Sequence, residues 1–375
     1  MIDEKLKRYV YPPIDYRIGA VELIDQTLLP SEEKILRIEE LEGLLEAIVS
    51  LRVRGAPAIG IAAAYGMLLA AEKLALKNFS DVEYLFDRGE GVGEIPSITM
   101  DYDFFYSELE IARERLGKTR PTAVNLFWAL EEMKKVYSKK APLEEVLKGM
   151  AWRAFEIYDE ELKVEFAIGQ SGAELFSSGM NILTHCNAGG LATAGFGTAL
   201  AVIFSAVNQG KKVHVYVDET RPLLQGARLT TWELKKRKID YTLICDNFAP
   251  SLFKDGRIDA VIVGADRIAS NGDTANKIGT LGLAVMCERF SVPFYVAAPL
   301  STFDVSLHDG SEIPIEERAA DEVVMIGGKE IAPAGSKVYN PAFDVTPHEM
   351  ITAIITERGV VHSPDREKIL KLFDL

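Results

Sequence analysis

From about residue 180 onward, short apolar runs alternate with helical stretches, and this rhythm constrains the fold of the chain more than any other feature. The apolar runs cover residues 181–185, 213–217, 241–245, 260–263, 294–298 and 323–326 and read as strands. Helical patterns lie between them at 191–207, 226–237 and 277–290. Regular alternation of this kind implies βαβ units and a mainly parallel sheet. Residues 181–375 therefore read as a Rossmann-like, doubly wound α/β domain. In such sheets ligands bind beyond the carboxyl ends of the strands, and chemistry is to be sought there.

The earlier part of the chain is mostly helical, with apolar residues at three- and four-residue spacing. Residues 1–150 are expected to form a helical N-terminal domain, joined by a helical segment at 151–180. A helix is expected from Ser31 through Ile38 to Ile48, and a second over 58–76. Two more are expected at 102–116 and 121–137, the latter with Pro121 in its first turn, and another opens at Pro142. Residues 20–29 suit short strands instead.

Composition narrows the partners. Across 375 residues, 42 Lys and Arg face 56 Asp and Glu, giving a net charge of −14. That sign disfavours general affinity for nucleic acid or anionic membrane, so an anionic ligand must meet a local basic pocket. Cys186, Cys245 and Cys287 form no CxxC pair, and the five histidines show no metal-ligand spacing. Neither a disulfide framework nor a metal site is expected. The first residues lack the apolar core of a secretory signal, and the most apolar stretch, 56–71, reads as a buried helix too short to span a bilayer. A cytoplasmic protein is expected. The glycines of Asp87-Arg88-Gly89-Glu90-Gly91-Val92-Gly93 follow no strand, and Glu90 would repel phosphate, so this stretch reads as a loop.

Several segments could carry chemistry. Arg54-Gly55-Ala56-Pro57 leads into a small-residue helix, where a cation and free N–H groups can meet an anion. A tight turn before a close-packed helix accounts for the same residues less completely. Thr184-His185-Cys186-Asn187 ends a strand, placing a thiol at the sheet edge; the alternative is a small buried cysteine. Val263-Gly264-Ala265-Asp266 ends another strand in a carboxylate, which could equally cap a helix or pair with Arg267. Lys277 is expected in the first turn of a helix, where a cation is unfavourable unless an anion lies nearby. Adjacent Asp218 and Glu219 point apart in a strand and make a poor carboxylate pair. Arg120, at a helix entrance, reads in isolation as a surface residue.

Together these segments resemble the family that unites the methylthioribose-1-phosphate isomerases with the alpha, beta and delta subunits of translation initiation factor 2B. The resemblance covers almost the whole chain. It is carried by Arg54-Gly55-Ala56-Pro57-Ala58-Ile59-Gly60, Thr119-Arg120-Pro121-Thr122, Thr184-His185-Cys186-Asn187 and Asp218-Glu219-Thr220-Arg221-Pro222-Leu223-Leu224-Gln225-Gly226. It continues in Gly264-Ala265-Asp266-Arg267 and Gly272-Asp273-Thr274-Ala275-Asn276-Lys277. The resemblance implies an isomerase of methionine salvage that turns an aldose, 5-methylthioribose 1-phosphate, into the ketose 5-methylthioribulose 1-phosphate. It implies Cys186 and Asp266 as catalytic residues and Arg54, Gly55, Ala56, Arg120, Gln225, Asn276 and Lys277 as substrate contacts. It also implies a homodimer, with no cofactor and no metal. A ribose-1,5-bisphosphate isomerase or a non-catalytic regulatory subunit are the rival expectations.

The chemistry accounts for the residue types. Phosphate on the anomeric oxygen locks the sugar as a furanose, so a group must protonate the ring oxygen before hydrogen can move between C2 and C1. Asp266 suits that role if its surroundings are apolar and poor in water.

Overall fold

A computed structural model describes residues 4–121 and 123–374. They form two units: one comprises residues 10–163 with the short segment 190–196, the other residues 4–9, 164–189 and 197–374. A single turn, α1 (Glu4–Lys7), opens the chain.

The first unit begins with an antiparallel meander, β1 (Ile14–Arg17), β2 (Ala20–Ile24) and β3 (Ile35–Ile38). Helices α2 (Leu41–Val49), α3 (Ala56–Leu76), α4 (Tyr102–Thr119), α5 (Val124–Tyr137) and α6 (Leu143–Ala173) follow. The division between units falls inside α6. Helix α3 is 21 residues long and buried over most of its surface. Its length would suffice to cross a membrane; it is instead the central helix of this unit's core, as its burial shows. Small residues let its neighbours close in. A methyl group at Gly60 would lie 3.0 Å from the Asn125 carbonyl oxygen of α5. One carboxylate interrupts the apolar run: buried Glu72 accepts bonds from the Phe86 and Leu85 N–H groups and from the Tyr16 hydroxyl. A buried acid is tolerable only when its lone pairs are filled in this way.

Two expectations for this region fail. No helix runs from Ser31; residues 35–38 are strand β3, whose Ile38 pairs with Val21 and faces the core. The period-2 pairing with β2 overrides the helical spacing. Helix α5 starts at Val124, after Pro121, while Thr122 lies outside the described residues. The glycine-rich stretch is a small hairpin of β4 (Phe86–Asp87) and β5 (Gly91–Val92), tied down by a 3.0 Å ion pair between Asp87 and Arg17.

The second unit is built on a seven-stranded sheet. Its strands are β6 (Asn181–Thr184), β7 (His214–Asp218), β8 (Tyr241–Ile244), β9 (Ala260–Val263), β12 (Phe294–Ala297), β17 (Ala353–Thr356) and β18 (Gly359–His362). The order is β18-β17-β12-β9-β6-β7-β8, parallel throughout except for β18. Strands β9, β12 and β17 read as continuous apolar runs because both their faces are covered. Helices α7 (Ala199–Asn208), α8 (Thr231–Lys236), α9 (Ala249–Lys254) and α10 (Thr280–Phe290) supply the crossovers. A smaller sheet joins β10 (Arg267–Ala269), β11 (Thr274–Lys277), β13 (Phe303–Asp304) and β16 (Phe343–Thr346). The short α11 (Asp321–Val324) and the hairpin β14 (Met325–Ile326) and β15 (Lys329–Glu330) lie between these elements in sequence, and α12 (Arg366–Lys371) follows β18.

The order of the large sheet matters most. From β6 the chain adds β7 and β8 on one side, then returns to place β9 on the other, and β12 and β17 extend that side. The winding direction reverses between β6 and β9. Residues 323–326, expected as a strand of this sheet, lie in α11 and the separate hairpin; 353–356 takes the place instead.

Candidate active site

The carboxyl ends of β6 and β9 meet at the reversal, where an open α/β sheet leaves its ligand crevice. Residue pairing runs Ile182 with Ala260, Leu183 with Val261 and Thr184 with Ile262. Continued two steps, it sets Cys186 level with Gly264, and Asp266 two residues further on. The glycine is required there: a methyl group on it would come 2.7 Å from the Ala188 side chain. The thiol and the carboxyl that the sequence singles out thus leave adjacent central strands.

Cys186 is half-buried and adopts φ +60°. The left-handed region costs an L-residue about 1–2 kcal/mol, so its surroundings must hold it there. Its N–H donates to Thr220 Oγ1 at 2.8 Å, and its carbonyl accepts from Thr230 Oγ1 at 2.6 Å. Asn187, buried next to it, donates to Thr230 Oγ1 and to Glu233. The other two thiols differ in setting. Burial pushes the Cys287 thiol up, and burial followed by the Glu219 carboxylate raises that of Cys245.

His185 precedes Cys186 and is fully buried. Its Nδ1 lies 2.9 Å from Asp218 Oδ2 and its Nε2 2.9 Å from the Ile278 carbonyl. Burial opposes a charge on this ring, yet the hydrogen bond and charge of Asp218 raise its affinity for a proton; burial raises that of Asp218 as well. Among the described residues Asp218 Oδ1 is buried without a hydrogen-bond partner. Asp218 therefore serves His185 rather than forming a carboxylate pair with Glu219.

Gln225 caps a π-helical turn, Gly226–Thr230, and is buried with its Oε1 unpartnered among the described residues. Such turns cluster at functional sites. Asp266 stands just before β10, where its N–H donates to the Ala275 carbonyl at 2.9 Å. Since Arg267 pairs with Ala275, the same register brings Asp266 beside Asn276. Asn276 is buried and donates to Thr280 Oγ1 at 3.0 Å. The Asp266 side chain is exposed, so the apolar, water-poor setting expected for it is not found around it in this unit.

Lys277 departs from expectation. It closes strand β11, and α10 starts three residues later, after Gly279 at φ +106°. Its ammonium sits 4.7 Å over the Phe343 ring. The α10 N-terminus is already taken by Asp344, which accepts the Gly279 and Leu281 N–H groups at 2.8 and 3.1 Å.

In the other unit, Arg54, Gly55 and Ala56 stand half-buried at the start of α3. Gly55 has φ +96°, and a methyl group on it would lie 2.3 Å from the Ala192 carbonyl oxygen. Only glycine permits that approach. Arg120 follows α4 and precedes α5, whose Asn125 touches Gly60 of α3. Arg54 thus stands at the N-terminus of α3, whose dipole favours an anion, while Arg120 closes the C-terminus of α4 in the connection to α5. Sequence reasoning missed Thr220, Thr230 and His185 as parts of the cysteine's setting. The left-handed turn after β6 was not visible in residue types, and two of those residues come from other strands or turns.

A recess of about 620 Å³ lined by Cys287, Pro293, His348 and Thr352 lies at the amino ends of β12 and β17, away from these groups.

An open α/β fold with a thiol and a carboxyl at its winding reversal is the arrangement found here. Residues 52–363 match the Initiation factor 2 subunit family, and the chain belongs to that family. Among its relatives are proteins named methylthioribose-1-phosphate isomerase. That of Fervidobacterium nodosum is 51% identical over 352 residues, covering 94% of this chain and 95% of the relative. That of Thermotoga maritima is 48% identical over 357 residues, covering 95% and 96%. The crystal structure of 5-methylthioribose 1-phosphate isomerase from Pyrococcus horikoshii superposes with a TM-score of 0.88 at 43% identity, covering 98% of each chain. A structure described as translation initiation factor eIF-2B, subunit delta, from A. fulgidus superposes at 0.83 with 42% identity, covering 96% of this chain and 99% of that one.

Proposed function

We infer that this protein isomerises 5-methylthioribose 1-phosphate to 5-methylthioribulose 1-phosphate, as an enzyme of methionine salvage. Half-identity to isomerases over about 95% of both chains supports the reading. Fold alone does not separate isomerase from regulatory subunit, since a structure described as translation initiation factor eIF-2B, subunit delta, superposes nearly as well. The observation that carries the enzyme reading is Cys186 and Asp266 leaving adjacent strands at the winding reversal.

In this reading Asp266 gives its proton to the ring oxygen, the bond from C1 to that oxygen breaks, and the sugar opens. Hydrogen then passes from C2 to C1, and the C2 hydroxyl proton returns to Asp266 as the ketone forms. Cys186 works at the C1–C2 edge, as the base if hydrogen moves as a proton and as a polar partner if it moves as hydride. Because Asp266 is exposed, the substrate itself must displace water from it. Arg54, Arg120 and Lys277 bind the phosphate dianion, Gly55 and Ala56 offer N–H groups to it, and Gln225 and Asn276 bind sugar hydroxyls. Gln225 keeps a buried acceptor without a partner, as a sugar-binding amide would before substrate arrives.

We further propose a Rossmann-like catalytic domain, a homodimer and a cytoplasmic setting; the three cysteines are free thiols, which suits a reducing compartment.

The test is turnover of a panel of pentose phosphates by the purified protein without added cofactor. Conversion of 5-methylthioribose 1-phosphate to its ketose is expected. Turnover of ribose 1,5-bisphosphate instead would assign the rival isomerase, and no turnover at all would favour a regulatory subunit.

A further inference from the structure

We propose that Thr220 and Thr230 are positioning residues that hold the Cys186 peptide in its left-handed conformation and so set where the thiol stands. The proposal rests on the reading of Cys186 as the catalytic thiol and names the groups that fix it.

Both faces of the Cys186 peptide are held by buried threonine hydroxyls from different segments. Thr220, in the loop after β7, takes the N–H at 2.8 Å; Thr230, at the end of the π-helical turn, gives its proton to the carbonyl at 2.6 Å.

Thr220 is itself an unexpected choice. It adopts φ +64°, a conformation in which β-branched residues are true outliers and glycine would sit without strain. Two further contacts hold it there. Its N–H and that of Arg221 each donate to Asp246 at 2.7 Å, one to each carboxylate oxygen. Its hydroxyl proton goes to the Asp218 carbonyl at 3.1 Å, which leaves a lone pair aimed at Cys186. The turn is also crowded: a methyl group at Gly226 would lie 1.7 Å from that same carbonyl. A strained residue kept where glycine is easier points to a need for its hydroxyl. The result is a relay from Asp246 through Thr220 to Cys186, comparable to the strained turn that presents a nucleophile at the top of a hydrolase sheet.

The experiment uses the full-length protein with Thr220→Val, Thr220→Ser and Thr230→Val. Misplacing a catalytic group by about 1 Å can cost about 100-fold in rate. Thr220→Val and Thr230→Val are expected to lower kcat about 10- to 100-fold with KM within threefold. Thr220→Ser, which keeps the hydroxyl, is expected within threefold of the parent. Alkylation of Cys186 by iodoacetamide, followed by peptide mass spectrometry, is expected to change rate at least about threefold in the valine variants, with Cys245 unchanged as the internal reference. Thr220→Gly adopts the left-handed conformation freely and carries the same test if the valine variant does not fold. Valine or glycine variants with parental kcat and parental alkylation overturn the proposal, as does a serine variant as slow as the valine one. Alkylation needs no substrate, so it reads the positioning claim even if the parent protein turns over no 5-methylthioribose 1-phosphate; failure of the functional reading then stands apart.

Discussion

His185 and Asp218 share a proton between Nδ1 and Oδ2 at 2.9 Å, at a depth that excludes water from both. The second ring nitrogen, Nε2, faces the Ile278 carbonyl, which can only accept. The pair must therefore hold protons on both lines of contact, whether written as imidazolium and carboxylate or as two neutral groups. Its net charge is zero in either form. His185 thereby joins the residue before Cys186 to the residue after Lys277, and so ties two strands of the site together.

A pH dependence of stability follows. Once unfolded, His185 releases its proton above its ordinary value of 6.5, whereas the folded pair keeps it. The pair's contribution is fully present below pH 6.5 and is lost as pH rises through the raised folded value, with a slope of at most about 1.4 kcal/mol per pH unit. Asp246 strengthens the folded His185 charge, and Asp344 faces it as well. Thermal unfolding between pH 6 and 9 should show the decline in the parent and a flatter profile in His185→Gln. Equal slopes would mean the pair is not protonated as described.

Gly55→Ala should destabilise the first unit and abolish substrate binding together. The methyl group meets backbone at 2.3 Å, and the left-handed φ adds its own cost. A loss of about 2 kcal/mol or more is expected from those two effects. Thermal melts and substrate titration of the variant measure it; unchanged melting would contradict the close approach of residue 192.

Glu72→Leu should cost about 3 kcal/mol or more, although it removes the one carboxylate from the otherwise apolar stretch of α3. Two backbone N–H groups and the Tyr16 hydroxyl would lose their acceptor in a dry core. Urea denaturation reads this directly, and a stabilised variant would refute it.

The exposure of Asp266 in the free chain has a kinetic consequence. If substrate supplies the desolvation, the acid must hold its proton to higher pH in the complex than in the free enzyme. The fall of kcat with rising pH should then lie at higher pH than the corresponding fall in kcat/KM. Coincident profiles would remove substrate-driven desolvation from the mechanism.

Much of this was legible in residue order. The β6, β7, β9 and β12 strands follow from apolar runs, since a strand buried on both faces needs nothing else, and the run at the edge strand β8 marks it too although Thr242 and Leu243 are exposed. The small-residue helix at 56–76 and the placement of Cys186 and Asp266 at strand ends follow from the same pattern. What stayed hidden depends on tertiary pairing. Residues 35–38 carry helical spacing but are claimed by β2, and Asn276 and Lys277 are claimed by β16. Positive φ at Cys186 and Thr220 has no signature in non-glycine residues, so the hydroxyl clamp on the cysteine could not be read from sequence.

The most direct test follows ¹³C-labelled 5-methylthioribose 1-phosphate by NMR with the parent protein, Cys186→Ser and Asp266→Asn, each confirmed folded by circular dichroism. The account predicts appearance of the ketone carbon with the parent, and rates lower by about 10²-fold or more in both variants. Ketose formed at near-parental rate by either variant would contradict it.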